Sequence, residues 1–139
     1  MLVNDLISCV APYPVLMPSI RRATPADADI LCTLSTTTFI ETYGYLYDAE
    51  TLVNFLIEAY DPDDHRVLLA EPDYAAWFVE DDGTPIGYAL AGPCNLPHSN
   101  VHPEDREIKR LFLLDGYQNI GLGSVLIERV LEWVGPRTT

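Results

Sequence analysis

A strand that turns into a glycine-bearing helix constrains this chain more than any other segment. Residues 107–114 predict a long strand, Asp115-Gly116 turns the chain, and a helix follows over about residues 120–134. Gly121 and Gly123 stand among its first residues. The first N–H groups of a helix lack internal partners and lie at its positive end, and glycine leaves the backbone accessible. This junction predicts an anion site suited to a pyrophosphate, unless the glycines only permit close helix packing.

Five earlier elements can be read before this junction. A short strand is predicted over residues 19–23, and a helix begins at Thr24-Pro25 and fades near Tyr43-Gly44. A second helix begins at Asp48 and ends at residues 61–64. It is expected to bury one apolar stripe, formed by Leu52, Phe55, Leu56 and Ala59. A hairpin follows, with strands around residues 77–79 and 86–91 joined by Asp82-Gly83.

This order predicts one α/β domain. It runs strand, helix, helix, strand, strand, strand, helix, and we expect a mixed sheet with flanking helices. The domain is expected to cover residues 19–139, with residues 1–18 as an N-terminal tail. The last helix would need a further strand to pack beyond it, and the sequence does not supply one.

The charge distribution excludes some partners. The net charge of −13 argues against nucleic acids and anionic membranes, which need a basic surface. Sixteen acids and one base, Arg66, lie in residues 23–105, whereas residues 106–139 carry four acids and five bases. The acidic part is either a solvated face or a surface that attracts a cationic substrate.

Cysteines and histidines do not form a recognisable metal or disulfide pattern. Cys9, Cys32 and Cys94 are scattered, which favours reduced thiols in a cytoplasmic protein. The first residues lack a basic region and contain three prolines, so a secretory signal is not expected. His98 and His102 stand four apart in a proline-bounded loop without an evident third ligand, so no metal site is expected there. His65 is expected at the surface.

The segment Gln118-Asn119-Ile120-Gly121-Leu122-Gly123 resembles the Q/R-x-x-G-x-G/A motif of the Gcn5-related N-acetyltransferase (GNAT) family. It is neither a dinucleotide GxGxxG nor a P-loop with its lysine. The hairpin over residues 78–88 and the order of elements over residues 19–134 also resemble that family, so the resemblance covers about four fifths of the chain. It implies transfer of an acetyl group from acetyl-coenzyme A, as co-substrate, to a primary amine.

The resemblance implies roles for matched positions. Leu111, Phe112 and Leu113 would present backbone groups to the pantetheine arm, and a donor near Leu111 would polarise the thioester carbonyl. Gln118 would frame the pyrophosphate loop. The pyrophosphate itself would lie against the backbone of Asn119, Ile120, Gly121, Leu122, Gly123 and Ser124.

Glu107 is the candidate general base for an ammonium acceptor. Some members of the family carry a base at the corresponding strand position, and an ammonium must lose a proton before it attacks. The strand period places Glu107, Lys109 and Leu111 on one face, so Lys109 would weaken that base. Two interpretations stay open: Glu107 is the base, or it is only the ion-pair partner of Lys109.

A second resemblance concerns the acceptor. Residues 38–44 resemble the first-helix segment of the polyamine acetyltransferase branch, which borders the acceptor site. It implies that Phe39, Glu41 and Tyr43 bind a cationic chain by charge and cation–π contact. Alternatively, the aromatic residues of this region, including Tyr45 and Tyr47, pack against other parts of the protein and do not contact a ligand.

The chain departs from the family after its last predicted helix. The family continues with a strand, a helix and two more strands, and that helix often carries a tyrosine that protonates the leaving thiolate. Without it, no general acid is assigned. Two hypotheses follow: an acetyltransferase acting on a primary amine, such as a polyamine, or a truncated, non-catalytic module that binds coenzyme A weakly or associates through its open sheet edge.

We also expect a homo-oligomer. Leu122, Val125, Leu126 and Val130 would leave apolar surface open on the last helix of a monomer, and the strand edge would lack cover.

Overall fold

The computed structural model describes residues 16–95 and 100–135. Most of the predicted tail therefore lies outside the described residues. The strands are β1 (Pro18–Arg22), β2 (Ala75–Asp81), β3 (Thr84–Pro93) and β4 (Arg106–Leu113). The helices are α1 (Ala28–Tyr43), α2 (Ala49–Ala59), α3 (Pro62–Ala70) and α4 (Leu122–Val134), with 3₁₀ turns at Pro25–Asp27 and Gly44–Leu46. None of the described helices has both the length and the apolar composition that crossing a bilayer requires.

The four strands form one sheet in the order β1-β2-β3-β4, with the helices packed against it. The predicted α/β class is confirmed. Each described pairing is antiparallel, so these strands do not form the mixed sheet that we expected. Asp82 and Gly83, with φ of 50° and 83°, make the predicted turn between β2 and β3.

A third helix stands where the sequence predicted the end of the second. Helix α2 ends at Ala59, with Tyr60 at its C-terminal cap, and the Asp61 carboxylate accepts a hydrogen bond from the N–H of Asp63 (2.8 Å) and caps α3. Pro62 occupies the first turn, where its missing N–H has no cost. The Asp-Pro-Asp-Asp segment is therefore a helix start as well as a helix stop, and we recognised only the stop.

The sheet is buried on both faces, and each face packs against different helices. On the first, which we call the α4 face, Trp77, Val79 and Ala89 belong to a core cluster with residues of α4. On the second, the α1 face, Phe78 and Tyr88 pack in a cluster with Leu31 of α1. The core is thus two layers that share one sheet.

The apolar side of α4 is covered by the sheet. Leu122, Leu126 and Val130 are buried on the α4 face, so the expectation that they lie open on a monomer is wrong. Of the four predicted residues, only Val125 is exposed, at 49%. Antiparallel strands, rather than a further element, provide the cover. Assembly into a homo-oligomer stays a prediction, but the apolar side of α4 no longer supports it.

Helix α2 buries less than its sequence pattern predicts. None of its residues is fully buried, and Phe55 is 44% exposed. Leu52, Leu56 and Ala59 are half-buried, so the predicted stripe is only partly covered.

Candidate functional site

Strand β4, the turn after it and the start of α4 border a cleft of about 510 Å³. The end of α1 closes its other side. Such a volume falls within the range of about 300–1,000 Å³ that is usual for ligand sites. The lining residues are Thr42, Tyr43, Leu111, Phe112, Leu113, Gln118, Asn119, Gly121, Gly123 and Ser124.

The glycines at the start of α4 face open space. Gly121 has φ of +90°, a left-handed conformation that favours glycine. A β-carbon built at Gly121 or at Gly123 would meet no atom of the described residues within 4 Å. Within this part of the chain, close helix packing does not explain these glycines. What remains is a backbone that a ligand can approach without meeting a side chain.

The N–H groups in the first turn of α4 precede its α-helical hydrogen bonds. The N–H of Val125 donates to the carbonyl of Gly121 (3.3 Å), so those of Leu122, Gly123 and Ser124 come before that bond. The first turn carries no acidic residue. This end of α4 therefore offers a positive, uncovered terminus of the kind that binds anions.

The turn before α4 is fixed to the hairpin. Gln118 Nε2 donates to the carbonyl of Leu113 (3.1 Å), and Asn119 takes a left-handed φ of 63°. Tyr117 donates from its hydroxyl to Asp81 (3.1 Å). The loop over residues 117–121 thus has side-chain anchors at both β4 and β2.

Two of the residues predicted to hold the cofactor do not line the cleft. The side chain of Ile120 is 53% exposed, and that of Leu122 lies in the core on the α4 face. Thr42, which the sequence analysis did not select, does line it. Its hydroxyl donates to the carbonyl of Thr38 (2.8 Å), and no pattern in the sequence marks it.

A β-bulge at Lys109 interrupts the alternation of β4. Leu90 pairs with Arg110, and the next residue of β3, Ala91, pairs with Ile108. Lys109 is therefore the extra residue.

The bulge separates Glu107 from Leu111. Paired residues of antiparallel strands lie on the same face. Leu111 pairs with Ala89 and lies on the α4 face, whereas Glu107 pairs with Gly92 and lies on the α1 face. The predicted common face of Glu107 and Leu111 is wrong, because a strict period of two does not allow for a bulge.

The carboxylate of Glu107 is engaged by its neighbour. Lys109 Nζ donates to Glu107 Oε1, and both side chains are about four fifths covered. This hydrogen bond lowers the pKa of Glu107 below its usual range. Glu107 is therefore ionised at neutral pH and is weaker as a base than a carboxylate without such a partner.

The predicted acceptor residues separate into three positions. Tyr43 lines the cleft, with its ring 6.4 Å from that of Phe112. Phe39 lies behind it in an aromatic cluster with Phe55 (4.7 Å), so packing describes its contacts. Glu41 accepts a hydrogen bond at Oε1 from the N–H of Asp115 (3.0 Å), in the turn after β4.

His65 lies beside Arg110 in the interior of the α1 face. The expectation that His65 is a surface residue is wrong, since it is only 4% exposed. Its Nδ1 lies 2.9 Å from the carbonyl oxygen of Asp61 and so carries the proton. Nε2 then accepts from Nη1 of Arg110 (3.0 Å), whose guanidinium also lies over the Tyr60 ring. The sequence analysis missed this group because it missed α3. His98 lies outside the described residues.

Many of the acids in residues 23–105 have local structural roles. Asp48 and Asp61 cap helices, and Asp27 pairs with Arg21 (2.9 Å). Further pairs join Glu80 to Arg21, Asp63 to Arg66 and Asp73 to Arg106. These contacts favour capping and solvation over a dedicated binding surface as the explanation of the acidic composition.

The sequence of the chain is similar to those of known acetyltransferases. The model of the acetyltransferase (GNAT) family matches residues 40–137. An uncharacterized N-acetyltransferase from Lactobacillus delbrueckii subsp. lactis is 28% identical over 109 residues. That alignment covers 78% of this chain and 63% of the relative, so the chain spans less than two thirds of the relative's length.

Two solved structures have the same fold. The PaiA N-acetyltransferase from Thermoplasma acidophilum, in complex with coenzyme A, superposes with a TM-score of 0.72 at 18% identity, over 86% of this chain and 72% of that one. An aminoglycoside acetyltransferase from an uncultured soil metagenomic sample, in complex with sisomicin, superposes with a TM-score of 0.61 at 14% identity. The superposition covers 84% of this chain and 69% of that one. At such identities the likeness establishes the fold alone.

The buried contact between His65 and Arg110 predicts a loss of stability in mild acid. Burial lowers the pKa of His65 below its ordinary 6.5. As pH falls below about 6.5, the unfolded chain takes up a proton before the folded chain does, so stability falls until the folded pKa is passed. The urea midpoint should therefore drop between about pH 6.5 and pH 5 in the wild type and drop less in His65→Gln. His98 and His102 are common to both proteins, so the difference isolates His65. Equal slopes would contradict the assignment.

Proposed function

This chain belongs to the GNAT acetyltransferase family, and on that premise we propose that it transfers an acetyl group from acetyl-coenzyme A to a primary amine. The observation that supports this most is the start of α4. Open space at Gly121 and Gly123 and N–H groups ahead of the first helical bond fit a pyrophosphate. The exposed edge of β4 in the same cleft fits an extended pantetheine arm.

We place the acceptor on the α1 side of the cleft. Tyr43 and Glu107 both lie on the α1 face, one at the end of α1 and the other on β4. An amine that entered there would meet the Tyr43 ring, whereas Glu107 does not line the cleft and lies farther along β4 on the same face. Lys109 keeps the Glu107 carboxylate ionised, which suits it to accept a proton even though its affinity for one is reduced.

The reaction is then a direct transfer. The neutral amine nitrogen attacks the thioester carbonyl carbon, the new C–N bond forms, and the C–S bond breaks as the coenzyme A thiolate leaves. The proton lost by the nitrogen goes to Glu107 through bound water, and the thiolate takes up a proton from solvent. Backbone N–H groups near Leu111 are the proposed donors to the carbonyl oxygen as it gains charge.

A competing possibility uses the same strand edge for association. In the described sheet β4 has a partner only on the β3 side. A second chain could add there as a strand, and it would then occupy the edge proposed for the pantetheine arm. If coenzyme A and the second chain both bind the edge of β4, coenzyme A should dissociate the dimer. A dimer that persists at saturating coenzyme A must form through another surface.

Substitution of Gly123 tests the cofactor site. The family motif allows alanine at this position, so the test needs a larger side chain. Gly123→Leu extends a side chain into open space, so the free protein should keep its stability or gain up to about 1 kcal/mol from helix propensity. That side chain would stand between the backbone and a pyrophosphate. We expect coenzyme A affinity, measured by calorimetry, to fall at least tenfold with an unchanged or higher melting temperature. Unchanged affinity would place the pyrophosphate elsewhere, and a wild type that does not bind coenzyme A would overturn the proposed function.

Substitution of Glu107 tests the proposed base. Glu107→Gln keeps the shape of the side chain and removes its capacity to take a proton. General-base catalysis contributes about 10²–10⁴-fold, so kcat should fall by at least roughly 10²-fold while coenzyme A affinity stays constant. A variant with the wild-type kcat would leave Glu107 as an ion-pair partner of Lys109 only.

Among amines, we propose a polyamine as the acceptor class. The net charge of −13 attracts cations, and the Tyr43 ring in the cleft can contact an ammonium group. Because so many acids are engaged in caps and ion pairs, the attraction acts at long range, on encounter rate, and weakens with salt. The kcat/KM for spermidine should exceed that for a neutral or acidic amine of similar length, by a margin that shrinks as ionic strength rises. Equal turnover of an acidic amine would reject the polyamine and leave the acetyltransferase activity standing.

A further inference from the structure

We propose that Glu41 is a positioning residue that joins the two walls of the cleft, rather than a binding residue for a cationic substrate. The proposal rests on the proposed function, because its readout is the binding of coenzyme A. It starts from one long-range contact, in which the Glu41 carboxylate accepts a hydrogen bond from the N–H of Asp115 at 3.0 Å.

Glu41 belongs to the α1 wall. It stands in the last turn of α1, directly before Thr42 and Tyr43, which line the cleft. Its carboxylate reaches the turn after β4. The same residue therefore belongs to one wall and binds the other.

Asp115 begins the opposite wall. The chain leaves β4 after Leu113 and passes through Asp115 to reach Gln118 and the glycines of α4. This turn is held on the hairpin side by the N–H of Leu114, which donates to the carbonyl of Ile86 (2.8 Å), and by the Tyr117 hydroxyl. Among the described residues, the Glu41 contact is the hydrogen bond that joins the turn to α1.

The hydrogen bond from Asp115 to Glu41 depends on two properties of the Glu41 side chain: its length and its acceptor oxygen. A backbone N–H is neutral, so a carboxylate and an amide oxygen can both accept from it, whereas a side chain one methylene shorter loses its reach. A carboxylate that binds an ammonium group would behave in the opposite way, because its charge is then essential. Reach and charge can therefore be separated by two conservative substitutions.

Glu41→Gln keeps reach and removes charge, while Glu41→Asp keeps charge and shortens the side chain. If Glu41 positions the walls, calorimetry should give Glu41→Gln a coenzyme A Kd within about twofold of the wild type. The Kd of Glu41→Asp should rise roughly fivefold to tenfold, as expected for the net loss of one hydrogen bond. Glu58→Ala, which removes an exposed acid from α2, is the control for net charge and should bind as the wild type does.

Each outcome decides the matter. We expect wild type and Glu41→Gln to bind coenzyme A tightly and Glu41→Asp to bind it weakly, with all three proteins folded at the assay temperature. Two results would overturn the positioning role: equal Kd values throughout, or a Glu41→Gln variant as weak as Glu41→Asp. A higher KM for spermidine in Glu41→Gln, with Kd for coenzyme A unchanged in both variants, would restore the substrate-binding role. A wild type without measurable coenzyme A binding would instead contradict the proposed function.

Discussion

The packing of α4 against the sheet is the constraint on which the candidate site depends. Leu122, Leu126 and Val130 are fully or almost fully buried on the α4 face. Burial of each such side chain contributes about 1.5–3 kcal/mol, so the helix cannot slide or rotate without losing several of these contributions. Its first turn is therefore fixed at the end of β4. Gly121, in a conformation that other residues rarely adopt, lets the chain enter the helix at that point.

The other wall of the cleft belongs to the opposite layer of the fold. Helix α1 packs on the α1 face through Leu31 and Leu34, and its last turn brings Tyr43 to the edge of β4. The bulge at Lys109 then directs Glu107 to this layer while Leu111 remains with α4. If the proposed function holds, one strand would present backbone and apolar groups to the cofactor on one side and a carboxylate to the acceptor on the other. A regular strand of this sequence would have placed Glu107 and Leu111 together.

The sequence predicted the local features better than the features that depend on several elements at once. The turn at Asp82-Gly83, the cap at Asp48 and the glycines before α4 are each encoded within a few residues, and each is found where it was predicted. The bulge at Lys109 depends on the register against β3, which periodicity within one strand cannot reveal. His65 was misplaced because α3 was missed. The contact between Glu41 and Asp115 spans 74 positions of the chain, and no local pattern indicates such a partner.

The roles of the acidic residues also depend on contacts that the sequence alone does not reveal. Composition identified an acidic stretch, but it could not distinguish acids that cap helices from acids that face a ligand. Asp48 accepts from the N–H of Thr51 (2.7 Å) and Asp61 from that of Asp63, contacts that occupy these carboxylates locally. The proposed cofactor contact involves the backbone instead, with N–H groups at the start of α4 binding the phosphates of coenzyme A. Amide chemical shifts, followed during a coenzyme A titration, report on these groups individually. We predict the largest, saturable shifts at Leu122, Gly123 and Ser124, with smaller ones along Leu111, Phe112 and Leu113. Saturable shifts confined to another surface, with these amides unmoved, would contradict it.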